Sequence, residues 1–270
     1  MNSLGARRIA GRIFRRILPS GMRLHWIALR NWMRGEPEIR IVKELCDTRR
    51  TSVDVGACLG TYAYFMRPHS RSVVAIDPHP VAAAWLRKAF GNRIQVLQVA
   101  ASDVSARLVL RVPLDPAMTG MATVESGNPV LHSTVSSVTV SAEPLDVLSI
   151  GAVGLIKIDV EGHETAVLRG AATLIERDHP AFIIEAEERH RPGAVQEVIG
   201  WLANRGYDGW YLRRGYAHST STFRAERDQP IAARGRAIPG ADYVNNFIFV
   251  HRDDPRRESL VRRMRGGPDR

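Results

Sequence analysis

Two stretches of the chain carry side chains whose types and spacing could do chemistry. The first runs Val53-Asp54-Val55-Gly56-Ala57-Cys58-Leu59-Gly60-Thr61-Tyr62. A β-like run ends in Asp54 and Val55, two glycines follow four apart, and a helical pattern begins. Gly56 lets the backbone turn tightly, and Gly60 lets a helix N-terminus approach a ligand. The spacing is G-x-x-x-G, not the G-x-G-x-x-G that cradles a diphosphate. It suits a ligand with an amino group and a carboxylate, and Asp54 can accept from the ammonium. Asp77 ends the next run, where a carboxylate can bind both hydroxyls of a ribose. The third run ends near Ala101-Ser102-Asp103, and Asp103 can accept from an adenine amino group. In that order these features describe a site for S-adenosylmethionine, with Ala57, Tyr62 and Ser102 completing the expected set. Each also has a structural reading: a packing turn for the glycines, a helix cap before Pro78 for Asp77.

The second stretch runs Leu155-Ile156-Lys157-Ile158-Asp159-Val160-Glu161-Gly162-His163-Glu164. Asp159 falls at the C-terminal end of an apolar run, where open α/β sheets place their ligands. His163 has the imidazole that shuttles protons near neutral pH. Glu185 ends the next apolar run, Phe182-Ile183-Ile184. The expected catalytic candidates are His163 first, then Asp159 and Glu185. Capping or salt bridging is the preferred reading for Glu164. Asp159 and Glu185 could share a hard cation, but no motif enforces it and no metal is expected.

From residue 51 onward short β-rich runs alternate with helical patterns, which predicts a parallel sheet covered on both faces. Pro80–Phe90 carries Val81, Ala84, Trp85 and Lys88 at helical spacing. Val195, Val198, Ile199 and Leu202 make one apolar stripe. Tyr243–Val250 reads as a last strand with Tyr207–Leu212 as its partner. Arg107–Val112 and Thr134–Val140 are β-like, and residues 113–133 between them read as a long loop, of the kind that is functional or disordered. That loop and residues 213–242 carry no readable motif and are expected to shape an acceptor pocket.

The charge sits at the two ends. Residues 1–40 hold nine Arg against Glu36 and Glu38, and residues 252–270 hold seven Arg against four acidic groups. Together these account for the whole net charge of +10, so residues 41–251 are neutral. A globally basic nucleic-acid-binding domain is excluded as the first reading, and no nucleic-acid partner is expected. We divide the chain into a basic N-terminal helical extension (1–40), a catalytic domain (41–251) and a basic tail expected to be disordered (252–270). Ile9, Ile13 and Ile17 among arginines form an amphipathic pattern that can lie on an anionic membrane. Cys46 and Cys58 are too few for a disulfide framework. No apolar run approaches a membrane span. The expected setting is cytoplasmic, with peripheral membrane contact through the N-terminus as an option.

These residues resemble the FkbM-type family of methyltransferases, a branch of the class I enzymes that use S-adenosylmethionine. The likeness runs from Val53 to about Gly206. It rests on D-V-G-A-x-x-G-x-Y at Asp54–Tyr62, D-P-x-P at Asp77–Pro80 and P-L-D-V-L at Pro144–Leu148. The sharpest match is I-K-I-D-V-E-G-H-E at Ile156–Glu164, followed by V-L-x-G-A at Val167–Ala171 and H-P-x-x-I-I-E at His179–Glu185. Glu36-Pro37-Glu38 resembles the family's lead-in. Cys58 stands where the family usually has Asn, and Asp77 where Glu is more usual. The resemblance implies a Rossmann-like sandwich, with a seven-stranded mostly parallel sheet carrying one antiparallel strand. It implies O-methylation of a hydroxyl on a sugar, glycolipid or secondary metabolite. The competing reading is a non-catalytic interaction module on the same fold, with basic tails for a membrane or partner.

Overall fold

The computed structural model describes residues 18–115, 120–128, 134–232, 236–237 and 242–265. The isoleucine pattern at positions 9, 13 and 17 lies outside them. Helices α1 (Ser20–Arg34) and α2 (Val42–Leu45) precede strand β1 (Thr51–Val55). Then come α3 (Thr61–Met66), β2 (Ser72–Ile76), α4 (Pro80–Phe90), β3 (Gln95–Leu97) and β4 (Ala100–Ala101). A hairpin, β5 (Ala106–Pro113) and β6 (Val135–Glu143), interrupts the alternation. It resumes with β7 (Val153–Ile158), α5 (Glu164–Arg169), α6 (Ala172–Asp178), β8 (Ala181–Glu185) and α7 (Ala194–Ala203). The C-terminal part adds β9 (Tyr207–Arg213), β10 (Tyr216–Ser219), α8 (Ala225–Asp228) and the two-residue pair β11 (Ile231–Ala232) and β12 (Arg236–Ala237). Strand β13 (Asn246–His251) and helix α9 (Arg257–Arg265) follow.

The main sheet has the order β10-β9-β13-β8-β7-β1-β2-β3. Its strands alternate between two cores. Phe182, Ile184, Phe247 and Phe249 face one, with α5, α6 and α7. Ile183, Ile248 and Val250 face the other, with α1 to α4 and α9. Burial on both faces explains why β7 and β8 read as near-continuous apolar runs. The chain builds outward from β1 to β3, then returns to the other side of β1 with β7. The ends of β1 and β7 therefore flank a topological switch point, where such sheets leave a crevice.

The sheet has one strand more than expected, and two strands run against the rest: β13, between β8 and β9, and the edge strand β10. The extra strand follows from the Arg214-Gly215 turn. Both residues have positive φ, +53° and +81°, the backbone of a two-residue hairpin that matches strand twist.

Two further expectations change. The predicted face of α4 is not its core face: Ala83, Leu86, Ala89 and Phe90 are buried, while Val81 is exposed. The C-terminal tail is not disordered through residue 265. Helix α9 buries Leu260 and Met264, Arg257 Nε donates to Asp208 at 3.0 Å, and Arg263 pairs with Glu44 at 3.0 Å. Its buried apolar pair was hidden by the charge around it.

Candidate active site

One cavity of about 220 Å³ opens at the switch point. Its lining includes Gly56 after β1, Asp77 after β2, Ala101 of β4, and Asp159, Val160 and His163 after β7. Trp85 and Val81 of α4 form one wall; Leu110 of β5 and Gly120, Ala122 and Val124 of the 113–133 loop form another. The loop with no motif is thus part of the site.

The turn after β1 is built by its own backbone. Gly56 and Ala57 both donate to Ile76 O, at 2.9 and 3.2 Å. Gly56 has φ +78°, and a Cβ there would stand 1.7 Å from the Asp159 carbonyl oxygen. Only glycine lets the ends of β1 and β7 meet. Gly60 has a different role from the expected one. Its missing Cβ faces Phe90 and Leu86 of α4, at 2.7 and 2.8 Å, not the cavity.

Asp54 also departs from expectation. Its Oδ2 accepts from Ala63 N at 2.8 Å, so it caps α3 from beneath. It does not line the cavity, and burial raises its pKa to about 6. Ala57 is buried in the turn. Tyr62 donates to Glu36 Oε2 at 2.5 Å, behind the cavity. Asp77 is where the sequence put it. Its Oδ1 accepts from His79 N and its Oδ2 from Cys58 N, both at 2.8 Å. Each oxygen keeps a lone pair for another donor. Burial raises its pKa against those two bonds. Cys58 adopts φ +46°, a region that asparagine tolerates better than most residues. Burial, then Asp77 and Asp159, push its thiol up to about 12.

The third strand end does not deliver what was expected. Asp103 is exposed and Ser102 is buried, and neither lines the cavity. Ser102 Oγ instead lies 2.9 Å from His163 Nε2. The other ring nitrogen, Nδ1, is 2.5 Å from Glu125 Oε1. Ser102, His163 and Glu125 thus form one hydrogen-bonded chain from β4 through the imidazole to the loop. The bond to His163 holds the Glu125 carboxyl below its usual range, against burial. The loop is pinned nearby: Thr123 Oγ1 and Asn128 Nδ2 both donate to Glu161 O, at 2.8 and 2.9 Å. Glu161 itself adopts φ +53°. Glu164 Oε1 accepts from Gly162 N at 2.8 Å, so it braces the turn.

Lys157, missed in the sequence reading, organises the remaining acids. It is buried, with Nζ 3.8 Å from Asp159 Oδ2 and 3.9 Å from Glu185 Oε2. Asn246 Oδ1 accepts from it at 3.2 Å, and the Tyr62 ring centroid lies 5.1 Å away. Burial opposes its charge, but Asp159 and Glu185 outweigh that and raise its pKa. Burial lifts Glu185 to about 7, with Lys157 opposing. Asp159 is raised well above the carboxylate range by burial and then by Glu185. Glu185 does not line the cavity. A lone Lys inside the run Val153–Ile158 was the signal for this group. Lys157 also holds the place a shared cation would need. Among the described residues, His179, His251 and Asp253 could share an ion. They lie at the N-terminal end of β8, away from the cavity, and the two imidazoles stack at 3.7 Å between centroids rather than converge.

A family model, the Methyltransferase FkbM domain, matches residues 54–208. The chain belongs to the FkbM methyltransferase family. No curated protein matches it. Among solved structures it is similar to methyltransferase FkbM from Methylobacillus flagellatus KT, with 18% identity over 86% of this chain and 55% of that one, and a TM-score of 0.45. It thus spans about half the length of that protein. An rRNA methylase from Streptococcus thermophilus shows 10% identity over 79% of this chain and 93% of its own, TM-score 0.46. An O-methyltransferase from Bacillus cereus in complex with SAH shows 10% identity over 86% and 90%, TM-score 0.46.

The methyl donor of the FkbM family is S-adenosylmethionine, and the cavity fits it. Asp77 has two carboxylate oxygens with spare lone pairs, which suit the two hydroxyls of a ribose. Ile76, Val81, Val99 and Leu110 give apolar walls for a purine. Gly56 lines the cavity where the ends of β1 and β7 meet.

Proposed function

We propose that this FkbM chain transfers a methyl group from S-adenosylmethionine to a hydroxyl of a sugar, glycolipid or secondary metabolite. One observation carries this reading. A single cavity is lined by the Asp77 carboxylate after β2 and, after β7, by the His163 imidazole and the Asp159 carboxyl. The cofactor, when bound, supplies an electrophilic methyl on a positively charged sulfur.

The protein's part is position first. Holding an acceptor oxygen in line can be worth about 7–11 kcal/mol, while a general base adds about 10²–10⁴-fold. His163 is the favoured base. With the Glu125 carboxylate at Nδ1, that nitrogen carries the proton and Nε2 is left to accept. The acceptor hydroxyl gives its proton to Nε2, in place of Ser102 Oγ or through it. Asp159 is the weaker candidate, because burial and Glu185 favour its protonated form. Lys157 positions Asp159 and Glu185 and offsets part of their charge.

A small molecule or glycan is favoured over a nucleic-acid base, since Asp159-Val160-Glu161-Gly162 offers no stacking ring. No helix of the described residues is long and apolar enough to cross a membrane. We place the enzyme in the cytoplasm, with both thiols free.

The test is incubation with methyl-labelled S-adenosylmethionine and a panel of sugars, glycolipids and hydroxylated metabolites. Label should appear as a base-stable ether and depend on His163. Transfer confined to nitrogen acceptors, or to RNA, would overturn the reading.

A further inference from the structure

Helix α1 has two apolar faces. Leu24 and Ala28 are buried against the core shared with α3 and α4. Met22, Trp26, Leu29 and Met33 recur at i, i+4, i+7 and i+11, with Trp32 beside them. These five side chains are between 39 and 57% exposed. An apolar stripe of this kind is what a helix ordinarily turns to a core, yet here it faces outward.

The surrounding charge is of one sign. Ser20–Arg34 contains no Asp or Glu, and Arg23, Arg30 and Arg34 lie along it. Arg30 sits 5.6 Å from the Trp26 ring centroid and Arg40 5.8 Å from that of Trp32. Residues 1–17 add five arginines and no acid, so the first acidic residue of the chain is Glu36.

We propose that this face of α1 docks on an anionic lipid bilayer, with the helix lying in the headgroup plane. The apolar stripe enters the acyl boundary and the tryptophans sit at the interface. The arginines extend their stems over the apolar surface and reach lipid phosphates. Other occupants satisfy only half of the observations. A second copy across a two-fold axis would set one arginine-flanked stripe against another. A nucleic acid would meet the arginines but leave the apolar side chains in water.

The helix is also tied to the frame of the cavity. Asn31 Nδ2 donates to Thr61 Oγ1 at 2.8 Å, at the start of α3. The Arg23 guanidinium lies 4.9 Å from the ring centroid of Trp85, which lines the cavity. The inference goes beyond methyl transfer and does not depend on it.

The test uses the full chain and two kinds of vesicle, phosphatidylcholine alone and phosphatidylcholine with one third phosphatidylglycerol. Sedimentation should show binding to anionic vesicles at least about tenfold tighter than to neutral ones. Binding should vanish in 1 M salt, where the screening length falls to about 3 Å. The pair Leu29→Glu and Met33→Glu should weaken it about tenfold or more, with thermal unfolding unchanged. Lipids brominated on the acyl chain should quench tryptophan fluorescence of the unsubstituted protein, and Trp26→Phe should reduce the quench. That measurement decides the matter if the glutamate pair does not fold. Equal binding by the glutamate pair, no binding, or no quenching would overturn the proposal. So would a dimer that the same pair dissolves, since it would assign the face to a second copy.

Discussion

A Cβ at position 56 would stand 1.7 Å from the Asp159 carbonyl oxygen, at a φ of +78°. Gly56→Ala should therefore cost at least the roughly 1–3 kcal/mol of a left-handed non-glycine residue. It should also push the ends of β1 and β7 apart. Chemical denaturation should show the loss, and cofactor binding should fall with it; an unchanged midpoint contradicts the packing. Glu38 gives a second test at this scale. Burial raises its pKa from 4.5 to about 8. Between those values the unfolded chain releases the proton and the folded chain keeps it. Stability should then fall as pH rises through that window, by about 1.4 kcal/mol per pH unit. Glu38→Gln should flatten that slope in denaturation at pH 6 and pH 8. An equal slope in both proteins would place the titration elsewhere. The residue scale also shows how far the sequence could be read. Gly56 and Asp77 line the cavity as expected, because their signal is a strand end followed by a turn. Asp54 and Gly60 belong to the same motif but serve helix packing. A motif records everything a turn needs, ligand contact and packing alike, and spacing does not separate the two.

Among the elements, the 113–133 loop was the least legible and does the most. It has no periodicity, yet Thr123, Glu125 and Asn128 bind the turn after β7. Those contacts join residues distant in sequence, and single polar side chains leave no pattern to read. Asp77, Asp159 and Glu185 were legible as strand-end acids, since each follows a largely apolar run. Asp103 lies exposed outside the cavity lining, while Ser102 at that end of β4 meets the imidazole of His163. If Glu125 orients His163, their effects on rate should not add. His163→Asn should lower kcat by about 10²-fold or more, and Glu125→Gln by about tenfold. The double variant should be no worse than His163→Asn alone. Independent, multiplying effects in steady-state kinetics would break the link between loop and base.

For the molecule as a whole, charge misled at one end and informed at the other. The neutral body and basic termini are visible in composition. The fold class follows from the alternation of strands and helices, and the eighth strand from a turn that its flanking residues do not announce. Helix α9 was missed because Leu260, Val261 and Met264 sit among arginines, and three apolar residues are too few to outweigh that. Leu260 and Met264 are nevertheless buried. Leu260→Ala should cost about 2–5 kcal/mol, read as a lower unfolding midpoint with cofactor affinity intact. A shift within error would mean that α9 is not part of the stable body. The cavity lined by Asp77, at the crevice between β1 and β7, should hold S-adenosylmethionine. Titration calorimetry of the full chain tests it most directly. We expect one micromolar site for S-adenosylmethionine, none for NAD, and at least about tenfold weaker binding by Asp77→Ala. Absence of binding, or undiminished affinity in Asp77→Ala, would contradict the account.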